Sequence, residues 1–306
     1  MTTALDLCLL GVLFAQQTVP SAGNPIFSSV LPSTGFFGWY GTPNTTESIT
    51  EHSPTAEHSP TKKHELTFCD TGTLQSPIDI NVATCKTKDF PPVTFLDDIL
   101  FNSEIQYENN CETVKITLID KTLKPKVQGG ALAPGSTYIV DNIHFHWGTK
   151  NTEGCEHTIA GKKFPMEAHM VLYKNTSKDF EDALHKKEVA VLGFMFILQA
   201  HPNEALHAMV ANVTEILQPH TTFKTSGKSL VFLKDYIGSG FYTYTGSLTT
   251  HGCAEGVLWT IFKKDIPIGK TQLIIFHDVI GEDAEELQNW RAIKPYNNRE
   301  VYQSTF

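Results

Sequence analysis

Residues 138–147 read Tyr-Ile-Val-Asp-Asn-Ile-His-Phe-His-Trp. β-branched and aromatic residues dominate, so the segment reads as a strand. Side chains alternate faces along a strand, which points His144 and His146 the same way about two rises apart. That spacing lets two imidazoles reach one metal ion, although such a pair by itself also suits structural or surface histidines. Asn142 falls on the same face. Its amide oxygen is placed to accept from His144, as a metal-bound histidine needs an oriented acceptor for its other N–H.

A second predicted strand, Met166 to Tyr173, carries Glu167-Ala-His169, with Glu167 and His169 on one face. Three histidines with one open position are the arrangement of a catalytic zinc, where water takes the fourth place. Glu167 is placed to orient His169. The alternative, an exposed strand carboxylate, sits poorly with its apolar neighbours. A third element is Gly246-Ser-Leu-Thr-Thr250. A Thr hydroxyl that donates onward to a carboxylate is locked as an acceptor from a metal-bound hydroxide, and Glu156, in Gly154-Cys-Glu-His157, is a candidate for that carboxylate. A Thr-Thr pair alone is uninformative.

Elsewhere, residues 114–119 alternate, and Val189 to Leu198 (VAVLGFMFIL) is almost wholly apolar, as suits a central strand buried on both faces. Phe180 to Lys187 and Pro202 to Leu217 have helical spacing, and Leu273 to Val279 reads as a late strand. The 306 residues suffice for one large domain with its own core, and 19 Phe, 9 Tyr and 4 Trp argue against broad disorder. A net charge of -9 without a basic stripe excludes a nucleic-acid partner.

Residues 1–15 read as a signal peptide, with the apolar run Leu7 to Ala15 and cleavage between 15 and 23, although Asp6 stands where such leaders carry a basic residue. Sequons at Asn44, Asn175 and Asn212 support export to the extracellular space as a secreted glycoprotein. No apolar C-terminal tail indicates a membrane span or lipid anchor. Residues 16–65 form a low-complexity Ser/Thr/Pro arm with a six-residue repeat starting at Glu51 and Glu57. Its composition cannot bury enough apolar surface to offset chain entropy. The arm's His52, His58 and His64 are candidate metal ligands, although a solvated linker needs none. The arm is also a candidate for matrix, mineral or glycan contact. Its aromatic stretch, residues 36–40, is expected to dock on the domain. Of six cysteines, Cys8 leaves with the leader, and the odd remainder keeps at least one thiol free or paired between chains.

Taken together, the motifs resemble the α-class carbonic anhydrases over residues 66–306. The matching stretches are Gln75-Ser-Pro-Ile-Asp-Ile80, His144-Phe-His-Trp-Gly148, Glu156-His157, Glu167-Ala-His169, Val189-Ala-Val-Leu-Gly193, Gly246-Ser-Leu-Thr-Thr250, Glu255, Trp259 and Asn289-Trp-Arg291, in the family's order and at close to its spacing. The resemblance implies a mixed α/β, β-rich fold: a large twisted, mostly antiparallel central sheet with flanking helices and a conical zinc cleft. It implies reversible hydration of carbon dioxide to bicarbonate and a proton by attack of zinc-bound hydroxide. Zn²⁺ would be held by His144, His146 and His169, with Asn142 and Glu167 behind them. Thr249 would orient the hydroxide and donate to Glu156. Val171, Val191, Leu248, Val257 and Trp259 would form the apolar wall for carbon dioxide, and Thr250 would help order water and bicarbonate. A second reading is a catalytically weak carbonic-anhydrase-like matrix or binding protein. Such proteins usually lack a zinc histidine, and all three are present here.

The resemblance also implies a Cys69–Cys253 disulfide and a cis Ser76–Pro77 bond. The chain departs from the family at several positions. Glu112 holds the proton-shuttle position, where efficient members carry His, and a carboxylate is poorly matched to a donor near pH 7. Cys111 holds a glycine position beside it. His251-Gly252 replaces Pro-Pro, so Gly252 is expected to supply the turn, with His251 a candidate substitute relay or a plain loop residue. Ala292 replaces a usual Pro, with little effect expected.

Overall fold

The computed structural model of the chain describes residues 67–306. The expected leader, the 16–65 arm with its histidines and aromatic stretch, and Asn44 lie outside the described residues.

Ten strands form the main path of the sheet. In chain order they are β1 (Lys86–Lys88), β2 (Glu104–Asn109), β3 (Val114–Leu118), β4 (Tyr138–Trp147), β5 (Met166–Lys174), β6 (Val189–Gln199), β7 (Thr222–Ser226), β8 (Phe241–Ser247), β9 (Glu255–Phe262) and β10 (Tyr302–Ser304). Their spatial order is β7-β2-β3-β4-β5-β6-β9-β8-β10-β1, and short added strands bring the sheet to thirteen among the described residues. On the main path only β6–β9 and β10–β1 pair in parallel, so the expected mostly antiparallel sheet is present. The helices that matter here are α1 (Phe180–His185), α2 (His207–Thr214) and α3 (Lys270–His277).

The central strands are covered on both faces, which is why they read as continuous apolar runs. One face packs Phe145, Trp147, Leu192, Phe194 and Phe196 against Met209 and Val213 of α2 and Leu273 and Phe276 of α3. The other face holds Val171, Val191, Val257, Trp259 and Ile261. Each fully buried large apolar side chain contributes roughly 1.5–3 kcal/mol, so a one-residue slip in register would be heavily penalised. The expected two-faced burial of 189–198 holds as far as Phe196. Ile197 and Leu198 are each 38% exposed.

Register places the candidate site. Along β4 and β5 the partners are His144↔His169 and His146↔Glu167, and along β5 and β6 they are Val171↔Val191 and His169↔Gly193. A bulge at Asp141 makes Asn142, two residues beyond Val140, pair with Val171 one residue from Leu172. The extra residue switches the site face of β4 from odd positions, such as Ile139, to even ones, Asn142, His144 and His146.

One expected element changes type. Residues 273–279, read as a strand, lie mostly in α3. A short apolar run does not separate strand from helix by pattern alone. Here Leu273 and Phe276 are buried three residues apart, Ile274 points outward, and the Gln272 side chain accepts the Gly269 N–H (3.0 Å), which starts the helix. The helices expected near 180–187 and 202–217 form, as α1 and as a 3₁₀ turn leading into α2.

Candidate metal centre

His144, His146 and His169 each offer a ring nitrogen within 4.8 Å of the others. The remaining nitrogen of each ring is committed. His144 Nδ1–H donates to Asn142 Oδ1 (2.9 Å), His146 Nδ1–H to the carbonyl of Asn289 (2.7 Å), and His169 Nε2–H to Glu167 Oε1 (2.8 Å). The acceptors dictate these tautomers. A carbonyl and a carboxylate can only accept, and Asn142 turns its oxygen to His144 because its Nδ2 donates to Asp141 Oδ2 (2.8 Å). Lone pairs are left on His144 Nε2, His146 Nε2 and His169 Nδ1. His146 Nε2 is buried and has no protein partner, and a bound metal would satisfy it.

Burial, then the neighbouring imidazoles, pushes His144 well below the usual histidine range, and burial followed by His146 lowers His169. Both rings are therefore neutral at pH 7, the form that binds metal. A second cluster, His157 with Glu167 and His169, is also compact, but both His157 nitrogens and both Glu167 oxygens are engaged in hydrogen bonds. His157 Nδ1–H donates to Glu167 Oε1 (2.8 Å), and its Nε2 accepts from Tyr244 OH (2.7 Å). Burial alone would raise the Glu167 carboxyl. The facing imidazoles of His157 and His169 outweigh it and hold the group well below the usual carboxylate range. Its Oε2 accepts the backbone N–H of Glu156 and of His157, each at 2.8 Å. Glu167 therefore takes four donors.

His144 and His169 line a cavity of 320 Å³ together with the apolar Val171, Val191, Leu248 and Trp259 and the polar Asn110, Glu112 and Thr113. Val257, expected in the apolar wall, is completely buried and absent from that lining. It packs behind the wall with Trp259 and Val191. An adjoining space of 360 Å³ is bordered by His144, His146, Glu156, Thr249, Thr250 and His251. Glu156 Oε1 accepts the Arg291 N–H (2.9 Å), and its Oε2 is buried without a partner. The expected Thr249–Glu156 hydrogen bond is thus not made, although both residues border the same space. Glu112 and His251 are exposed at its edge.

The Thr249 loop is anchored at Cys253. Cys253 bonds Cys69 across 184 residues of sequence, and Gln75 Nε2 donates to the Cys253 carbonyl (3.1 Å). Gly252 supplies the turn with φ 86°, and Ser76–Pro77 is cis, both as expected. Cys85, Cys111 and Cys155 are free. Of the two described sequons, Asn175 is exposed in a turn after β5. Asn212 lies in α2 with its side-chain nitrogen buried, so the glycan expected there has no room in the folded chain.

Asn289 carried no role in the sequence reading. Its carbonyl orients His146, its Oδ1 accepts the Trp147 N–H (2.8 Å), and its Nδ2 donates to the carbonyls of Phe145 (2.8 Å) and Glu112 (2.9 Å). Its place in the Asn-Trp-Arg stretch was the available signal. His157, beside Glu156 in the sequence, likewise joins Glu167 to Tyr244 and through Tyr244 to Ser76.

These features define a candidate tris-histidine metal centre at the base of a half-apolar cavity. Residues 58–305 match the family model for eukaryotic-type carbonic anhydrase, reaching back past the boundary expected at 66. Carbonic anhydrase 4 of Rattus norvegicus is 33% identical over 242 residues, 75% of this chain and 75% of that protein. Carbonic anhydrase 6 of Mus musculus is 30% identical over 239 residues, 75% and 73%. A putative carbonic anhydrase 3 of Caenorhabditis elegans is 30% identical over 235 residues, 76% and 90%. The chain belongs to the eukaryotic-type carbonic anhydrase family, a family of lyases that hydrate carbon dioxide. Among the described residues no helix is long and apolar enough to cross a membrane.

Proposed function

We propose that this chain hydrates carbon dioxide reversibly to bicarbonate and a proton, with zinc held by His144, His146 and His169. The observation that carries the reading is the convergence of three imidazole lone pairs, one of them buried and unpartnered, beside an apolar cavity wall. The donor set suits zinc, which accepts three histidines and keeps one position open. In carbonic anhydrase, the type example of the effect, the bound ion lowers the pKa of water to about 7 and so supplies a nucleophile at neutral pH.

The residues then divide the work. Asn142, the Asn289 carbonyl and Glu167 hold the three rings in the right tautomer. Val171, Val191, Leu248 and Trp259 offer carbon dioxide a surface that competes poorly for water, with Val257 supporting it from behind. Thr249 borders the same space as the unpartnered Glu156 Oε2, and a Thr249 hydroxyl turned to donate to that oxygen would keep its own oxygen as the acceptor of a hydrogen bond that orients the attacking water. Thr250 orders bicarbonate and water at the polar side. The proton leaves past Glu112 and His251 at the rim.

The chain is also exported, on this reading, with residues 1–15 as leader, cleavage before residue 23, residues 16–65 as a separate arm, and a glycan on Asn175. The Cys69–Cys253 bond supports an oxidising destination. Zinc content measured after dialysis, together with stopped-flow hydration of carbon dioxide, tests the activity. One zinc per chain and turnover, both lost in His144→Ala, are expected. Turnover by metal-free protein would refute the reading.

A further inference from the structure

Beside the cavity mouth, away from the three histidines, Cys111, His220 and Glu282 meet at the surface. Cys111 Sγ lies 3.4 Å from His220 Nε2, and that nitrogen lies 2.8 Å from Glu282 Oε2. One donor atom from each residue falls within 4.8 Å of the other two. The residues come from three separate segments: the turn between β2 and β3, the loop before β7 and the loop after α3.

One buried side chain ties these segments together. Asn109 is completely buried. Its Nδ2 donates to the carbonyls of Leu217 (3.3 Å) and Ile280 (3.0 Å), and its Oδ1 accepts the Cys111 N–H (3.0 Å). Its own N–H donates to the Thr221 carbonyl (3.0 Å), and the Ile280 N–H donates to that of Leu217 (3.0 Å). The fold therefore sets the backbone positions of all three groups. Cys111 and His220 also both occupy the left-handed region, at φ 71° and 57°, where non-glycine residues are uncommon.

A thiol, an imidazole and a carboxylate make a ligand set for zinc and its neighbours. Zinc–sulfur and zinc–nitrogen bonds of about 2.3 and 2.0 Å at a tetrahedral angle put sulfur and nitrogen about 3.5 Å apart. The observed 3.4 Å needs no movement. Nitrogen and oxygen would need to separate by about half an ångström to reach their own zinc-bridged spacing. The His220 and Glu282 side chains, 68% and 65% exposed, are free to do so.

We propose that Cys111, His220 and Glu282 form a second site, for a thiophilic divalent cation of the zinc class, with water completing the shell. Binding forms a sulfur–metal bond, and the Cys111 proton passes to solvent. The ion would sit one residue from Glu112, adding positive charge at the cavity mouth.

The test is metal stoichiometry on the full chain, with Cys111 first shown free by thiol titration. Equilibrated with zinc, the wild type is expected to hold two ions per chain, and Cys111→Ser and His220→Ala one each. His220→Ala alters an exposed side chain, so a loss of metal there does not reflect misfolding. Cobalt(II) added to chain already carrying one zinc is expected to give a sulfur-to-cobalt charge-transfer band that Cys111→Ser abolishes. One zinc per wild-type chain, a second zinc that survives both substitutions, or a Cys111 found in a disulfide would overturn the proposal.

Discussion

Replacing Glu167 by Gln keeps the side chain's shape and removes one of its two acceptors. Four donors face the carboxylate: the ring N–H groups of His157 and His169 at Oε1, and the backbone N–H groups of Glu156 and His157 at Oε2. An amide has one oxygen, so its NH₂ meets two of these donors whichever way it turns. Two orphaned buried donors cost roughly 1–3 kcal/mol each, so the metal-free variant should lose about 2–6 kcal/mol of stability. If the NH₂ faces the rings, His169 relieves the clash by moving its proton to Nδ1, the nitrogen that would bind metal. Removing an orienting partner of this kind typically weakens metal binding about 10–100-fold, or about 1.4–2.7 kcal/mol. Competition with a chelator gives the zinc affinity, and urea melts of metal-free protein give the stability. Wild-type values for both would refute the assignment of Glu167 as the group that sets the His169 tautomer.

Opening the Cys69–Cys253 bond with Cys69→Ser and Cys253→Ser together should cost roughly 5 kcal/mol by urea melts, because the loop it closes spans 184 residues. With a carboxylate rather than an imidazole exposed at position 112, added imidazole should accelerate hydration and Glu112→His should remove that dependence. An absence of rescue by stopped-flow would count against proton transfer as the slow step. Burial pushes the Tyr107 hydroxyl up to about 12, with Ser229 as its hydrogen-bond partner. Since the folded value lies above the ordinary one near 10, the neutral form is favoured by folding. Its contribution is complete below pH 10 and fades as pH climbs toward 12. Tyr107→Phe should flatten that alkaline limb in urea midpoints measured against pH.

The candidate metal site was legible because period-two alternation carries His144, His146 and Asn142 to one face and Glu167 with His169 to another strand's matching face. What closed it was not legible. The Asp141 bulge leaves no mark in composition, yet it sets which parity of β4 faces the site. Asn289 acts partly through a backbone carbonyl, which any residue type possesses. Leu273 to Val279 lacked the length that separates a buried strand from a helix, and the Gln272 contact that starts α3 is tertiary context. Asn212 matched a sequon while its amide faced the interior.

The proposed activity depends on an ion gripped by three imidazoles. A crystal structure of zinc-loaded protein, with anomalous data collected at the zinc edge, addresses it without recourse to activity. One peak is predicted about 2.0–2.1 Å from His144 Nε2, His146 Nε2 and His169 Nδ1. No peak among these rings in zinc-replete protein, or one bonded through His144 Nδ1 or His169 Nε2, would contradict it.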